Sequence, residues 1–193
     1  MGEIVVLRHG QTEWSRTGQH TGVTDVPLLP EGEERARALG PALARRDLVE
    51  VWVSPRQRAL RTAELAGLTP TAVDEDLVEL DYGAYEGRTT AEISKELGRR
   101  WSVWSDPPVP GETPGETLEA VGRRVDRVLD RARPRLDDGD VALVAHGHVL
   151  RVLTARWLGL QPEAGALFAL PAGAYGALGH EHGRPVLTGW GLD

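Results

Sequence analysis

Ile4 to Leu7 is a short, unbroken apolar run that stops at Arg8-His9-Gly10. A run of that length without alternation predicts a strand buried on both faces and ending in a polar turn. The pattern recurs at Val49–Val53 and at Asp140–Ala145, and the last again stops at a histidine–glycine pair, His146-Gly147. Ala72-Val73 predicts a further short strand. Between these runs the polarity pattern is helical. Pro30–Arg46 has acids at its start and arginines at its end, as a helix dipole favours. Ser54-Pro55 predicts an N-cap and first turn for a helix with Ala59, Ala63 and Ala66 on its apolar face. Further helices are predicted over Thr89–Arg99, from a capping box at Thr113-Pro114-Gly115-Glu116 through Ala132, and over Val149–Leu158. Leu77–Gly87 is irregular, Trp101–Thr113 is an ordered excursion rich in Trp and Pro, and Leu167–Trp190 predicts two or three strands.

Strand–helix alternation predicts an α/β fold: a three-layer α/β/α arrangement with a mostly parallel central sheet. In such sheets ligands bind at the carboxyl ends of the strands, where both His-Gly pairs fall. The 193 residues are expected to form one domain, 1–193, with approximately 81–114 as a small cap-like insertion.

Composition narrows the chemistry. There is no cysteine, so disulfides, thiolate catalysis and Cys-ligated metals are excluded. A net charge of −7 argues against nucleic acid and anionic membranes as partners. No apolar stretch approaches the ~18 residues of a membrane span, and MGEIVVLRHG lacks the cationic flank and cleavage site of a signal peptide. A cytoplasmic protein is the expectation.

Alone, a histidine at a strand end is most simply a hydrogen-bonded structural residue. Arg8 before His9 is costly to bury unpaired, and Gly10 after it lets backbone approach a ligand, which together suggest an anion site with an imidazole inside. Arg58 and Arg61 share one side of the helix that opens near Ser54. Positive charge there opposes the dipole, and a bound anion would compensate. Glu79, Asp81 and Glu86 are candidate acids in a Gly-rich loop, at least two of them expected at the surface. His146 and His148, with His180 or His182, offer a weak metal set. Trp101 and Trp104 fit either a pocket roof or core packing.

Taken together these segments resemble the histidine phosphatase superfamily, the phosphoglycerate-mutase-like group. The resemblance rests on Leu7-Arg8-His9-Gly10-Gln11-Thr12-Glu13-Trp14, on Ser54-Pro55 with Arg58, Ala59, Thr62 and Ala63, on Glu79 with Gly83, Glu86 and Gly87, on Gly115-Glu116-Thr117, and on Ala145-His146-Gly147. It covers nearly the whole chain. It implies His9 as the nucleophile, Arg8, Arg58 and His146 as holders of the phosphate oxygens, and Glu79 as proton donor and acceptor. No metal and no cofactor is implied, since two guanidiniums and an imidazolium can stabilise phosphoryl transfer themselves. The stretch Gln11–Gly22 is similar to a subgroup of acid phosphatases and sedoheptulose bisphosphatases, with Ser15 where most relatives carry Asn. There the substrate pocket is expected to include Ser15, His20, Thr21, Gly22 and Gly147.

The expected activity is a metal-independent phosphomonoesterase acting on a small phosphorylated metabolite, a sugar phosphate or bisphosphate, through phosphohistidine. The alternatives are a cofactor-dependent phosphoglycerate mutase and a non-catalytic phospho-ligand binding protein. A metallohydrolase using the six histidines is a further one. Glu79 is followed by Leu80-Asp81 and not by the arginine of the mutases, which favours hydrolysis. Retention of both histidines, both arginines and Glu79 favours catalysis over binding alone. Dimers are common in the family, which leaves a homodimer open, but no surface stripe in the sequence shows one.

Overall fold

In the computed structural model, which describes all 193 residues, the apolar runs form one six-stranded sheet. Strand β1 (Ile4–Arg8) lies at its centre, with β2 (Leu48–Val53), β3 (Ala72–Val73) and β4 (Asp140–Ala145) parallel to it on one side. On the other side the antiparallel hairpin of β5 (Tyr175–Glu181) and β6 (Arg184–Leu192) completes the order β3-β2-β4-β1-β5-β6. His182 and Gly183, both at positive φ, make its two-residue turn. The sheet is mostly parallel, as the alternation predicts.

Side chains of each central strand alternate between two cores. Ile4, Val6, Val141 and Leu143 face one layer with α6 (Leu118–Ala132) and α7 (Gly147–Trp157). Val5, Leu7, Val51, Val53, Ala142 and Val144 face the other, with Leu39, Leu43 and α4 (Gln57–Leu65). Burial of both faces explains why these runs lack polar alternation. Tyr82, Tyr85, Ile93, Trp101 and Val103 from the 81–114 stretch enter the first core, around α5 (Thr90–Leu97). No helix is long and apolar enough to cross a membrane.

The structure corrects several boundaries. A short helix α1 (Glu13–Thr17), capped reciprocally by Thr12 and Ser15, has too few residues for periodicity to show. The predicted helix Pro30–Arg46 is two, α2 (Pro30–Ala38) and α3 (Gly40–Leu43), because Pro41 has no N–H to continue the ladder. Helix α4 has Arg56 at its N-cap position, and Ser54 does not cap it. Ser54 instead extends the β2 ladder, donating its N–H to Val144 O. Helix α6 is capped by Thr117 and not Thr113, whose hydroxyl is turned to Asp81 across the bend at Gly115. Helix α7 starts at Gly147, two residues before the predicted Val149.

Candidate active site

Register brings the two His-Gly ends together. Arg8 pairs with Ala145, so His9 continues the ladder by donating its N–H to Ala145 O at 2.9 Å. The rings of His9 and His146 are 5.2 Å apart, edge to face. Since β2 flanks β4, Ser54 and Arg58 arrive beside His146. Three segments remote in sequence thus meet at the carboxyl edge of the sheet.

His9 Nδ1 lies 2.7 Å from Gly10 O, which places the proton on Nδ1 and leaves the Nε2 lone pair free. Burial pushes its pKa well below the ordinary imidazole value, and the charges of Arg8 and Arg58 push the same way. Gly10 is held by Thr62 Oγ1 at 3.0 Å and packs on Gly32, where a Cβ would stand 2.4 Å from Gly32 O. His146 accepts the Arg58 Nε–H on Nδ1 at 3.1 Å, so its Nε2–H donates to Ser54 Oγ at 2.7 Å. Burial, then Arg58 and His9, hold its pKa far down.

Arg58 is wholly buried, its other donors spent on the carbonyls of Thr21, Gly22 and Thr24. Glu86 holds that loop from the far side by accepting the Gly22 and Thr24 N–H groups. The anion that compensates the arginines at the start of α4 is the protein's own Asp25, which accepts the Gln57 N–H. Arg61 is spent at the surface on Glu33 and Glu64. Arg8 is anchored at one corner, Nη1 to Leu170 O at 2.6 Å, while its Nε–H has no protein partner. Gly147 lets the Arg8 guanidinium lie against the start of α7, for a Cβ there would stand 3.1 Å from Arg8 Cζ.

Glu79 caps α7 from outside the helix. Its Oε2 accepts the His148 N–H and its Oε1 the Val149 N–H, both at 2.9 Å, with the Leu80 N–H adding a third bond. Of the three candidate acids only Glu79 faces the pocket. Asp81 is bonded to Gly83, Thr113 and Gly115, and Glu86 to the 22–24 loop.

The pocket is about 180 Å3, and Arg8, His9, Ser15, His20, Thr21 and Glu79 line it. Gly22 sits behind it on Leu80 O, while Arg58 and His146 are buried and do not line it, the His146 ring standing edge to face with that of His9. Sequence reasoning missed Tyr82 and His148 as lining residues, along with Gly18 and Gln19. The spacing of His148 from His146 was a signal, but it pointed to metal binding. His180 packs on Trp157 instead, and no three His, Asp or Glu side chains converge in metal-binding geometry. Trp101 is core, touching the back of His20, and Trp104 backs His148.

Cationic side chains gathered around a neutral imidazole at the edge of a parallel sheet define a phosphoryl-transfer enzyme. The family model for the histidine phosphatase superfamily (branch 1) matches residues 4–193. An acid phosphatase of Mycobacterium tuberculosis is 40% identical over 191 residues, covering 98% of this chain and 92% of that protein. The sedoheptulose 1,7-bisphosphatase of Saccharomyces cerevisiae is 37% identical over 187 residues, covering 81% of this chain and 67% of its own. The solved structure of the M. tuberculosis open reading frame Rv3214 superposes with a TM-score of 0.92 at 39% identity, covering 99% of this chain and 97% of that one. The chain belongs to the histidine phosphatase superfamily and is a phosphomonoesterase.

Proposed function

We propose that the chain hydrolyses monoesters of small sugar-like alcohols in two steps, without a metal, through a phosphohistidine at His9. The observation that carries this reading is the His9–Gly10 bond, which leaves a neutral Nε2 lone pair in a pocket shared with Arg8 and Glu79. Nε2 attacks phosphorus and the P–O bond to the alcohol breaks. Glu79, protonated for this step, gives its proton to the departing alkoxide. Water then attacks phosphorus, Glu79 takes its proton, and the N–P bond breaks to release phosphate. Arg8 holds the transferring oxygens directly. Arg58 reaches them once the substrate displaces the 21–24 carbonyls from it, and His146, tied to Ser54, orients Arg58 by accepting its Nε–H.

Hydrolysis is favoured over mutase chemistry by the surroundings of Glu79. Arg99, in the region where mutases carry basic residues, is paired with Asp106 at 3.0 Å and does not line the pocket. A sugar phosphate or bisphosphate is favoured by the similarity to the sedoheptulose 1,7-bisphosphatase. The test is phosphate release from a panel of sugar phosphates, nucleotides, 3-phosphoglycerate and an aryl phosphate, with EDTA and without 2,3-bisphosphoglycerate. Free phosphate in EDTA and an acid-labile phosphoenzyme absent from His9→Ala are expected. Isomerised phosphoglycerate with little free phosphate would make the chain a mutase.

A further inference from the structure

Glu116 lies outside the pocket, in a Gly-Glu-Thr motif to which the resemblance assigns no role. Its carboxylate accepts a two-pronged pair from Arg124 of α6, Nε–H at 2.8 Å and Nη2–H at 2.9 Å. Arg124 is only 6% exposed, and its Nη1 donates to Val78 O at 2.7 Å and to Asp76 O at 2.8 Å. Four of the five N–H groups of one guanidinium are therefore engaged by Glu116 and by the backbone just before Glu79. Glu116 reaches the backbone just after it, donating its own N–H to Asp81 O at 2.8 Å. The Asp81 carboxylate holds the same turn together by accepting the Gly83 and Gly115 N–H groups.

One ion pair thus grips the chain at Val78 and at Asp81, and Glu79 stands between the two grips. The His148 and Val149 N–H groups set where the Glu79 carboxylate points. The ion pair sets how far its backbone stands from His9. Proton transfer needs the carboxyl within hydrogen-bond reach of the departing oxygen, and a misplacement of about 1 Å can cost on the order of a hundredfold in rate. Anchoring α6 does not call for Arg124. On the solvent side of the same contact, Arg127 pairs with Asp76, and Arg131 with Asp74 and Asp76. A buried guanidinium costs desolvation that those exposed pairs avoid, and what it adds is the hold on the backbone around Glu79.

We propose that the Glu116–Arg124 ion pair is a clamp that positions Glu79 for proton transfer to the leaving alcohol. This rests on the reading of Glu79 as the acid and adds the residues that place it. Neither Glu116 nor Arg124 meets the substrate. Both are positioning residues that act through Glu79.

The test reads one ratio in EDTA: kcat/KM for the sugar phosphate hydrolysed fastest, divided by kcat/KM for p-nitrophenyl phosphate. Both values cover the step in which the alcohol leaves, and only the sugar alkoxide needs a proton there. The ratio does not depend on the fraction of enzyme that folds, so a destabilised variant still reports. Arg124→Lys keeps the charge and loses the fork, and Glu116→Gln keeps the shape and loses one acceptor. Each is expected to lower the ratio about three- to tenfold. Glu79→Gln is expected to lower it about a hundredfold, and adding Arg124→Lys to Glu79→Gln should lower it no further. Arg127→Gln, which loosens α6 from the Asp76 side chain alone, is expected to keep the wild-type ratio. A merely structural ion pair would slow both substrates together. An unmoved ratio in either clamp variant, with Glu79→Gln still lowering it, would overturn the clamp and leave the acid reading standing. So would a further fall in the double variant, or an equal fall in Arg127→Gln. A wild-type ratio in Glu79→Gln would overturn the acid reading and the clamp with it.

Discussion

Arg58 donates its Nε–H to His146 Nδ1 at 3.1 Å, and that bond sets the tautomer of a histidine whose other nitrogen is tied to Ser54. The ring is therefore a fixed, neutral link between the end of β2 and the base of the pocket. Ser54→Ala leaves the His146 Nε2–H buried without an acceptor, which costs about 1–3 kcal/mol. A lower urea midpoint and a fall in kcat on all substrates are expected. Unchanged stability would mean that His146 is not held through Ser54.

Glu79→Gln separates two roles of one side chain. The carboxylate accepts three backbone N–H groups, and an amide must turn its NH2 toward at least one of them. A stability loss of about 1–3 kcal/mol, read by denaturant unfolding, is expected. The catalytic loss should be far larger for alkyl than for aryl phosphates, because only the poor leaving group needs the proton. Equal losses on both would remove Glu79 from the acid role.

Adding a methyl group at Gly147 should act on Arg8. The Cβ would stand 3.1 Å from Arg8 Cζ, so the guanidinium must shift away from the start of α7. Gly147→Ala is expected to raise KM for every phosphomonoester with little change in stability, measurable as steady-state kinetics beside a melting curve. Wild-type KM would place the Arg8 contact outside substrate binding.

Turnover should persist into mildly acidic solution. The pKa of His9 lies well below the ordinary imidazole value, so the nucleophile stays neutral where a free histidine would be protonated. With an aryl phosphate, and after correction for the substrate's own ionisation, kcat/KM is expected to stay level as pH falls through 6.5. An acidic limb centred there would show that His9 titrates normally.

Stability should behave oppositely. His9, His20, His146 and His148 all have folded pKa values below the unfolded one. Below about pH 6.5 the unfolded chain takes up protons that the folded chain refuses, so stability falls as pH falls. Together the four contribute a slope of at most about 5 kcal/mol per pH unit, continuing down to about 4 for His20. Tm measured from pH 7.5 to 5 should decline below 6.5, and less steeply in His20→Asn. A flat Tm would contradict burial of the four as neutral rings.

Both strand-end histidines were legible in the chain because each lies at the end of a short run of four or five apolar residues, directly or one residue on, and closes it with a glycine, the pattern of a buried strand bounded by a turn. The two-sided core, the parallel sheet and the candidacy of His9, Arg58 and Glu79 come from that local signal and from motif order. The partners of those residues do not. Glu79 meets His148 across 69 positions and Arg58 meets His146 across 88, distances at which no local pattern reports a hydrogen bond. Ser54 looked like a helix cap because its neighbours favour one, yet β4 beside β2 offered its N–H and hydroxyl better partners. Asp25 compensating α4, and the paired Tyr82 and His148 in the pocket wall, likewise exist only once the sheet order is set. Local propensity determines which segments become strands and helices. Which buried polar group satisfies which other is decided by packing, because each must find a partner among whatever the tertiary fold brings within reach.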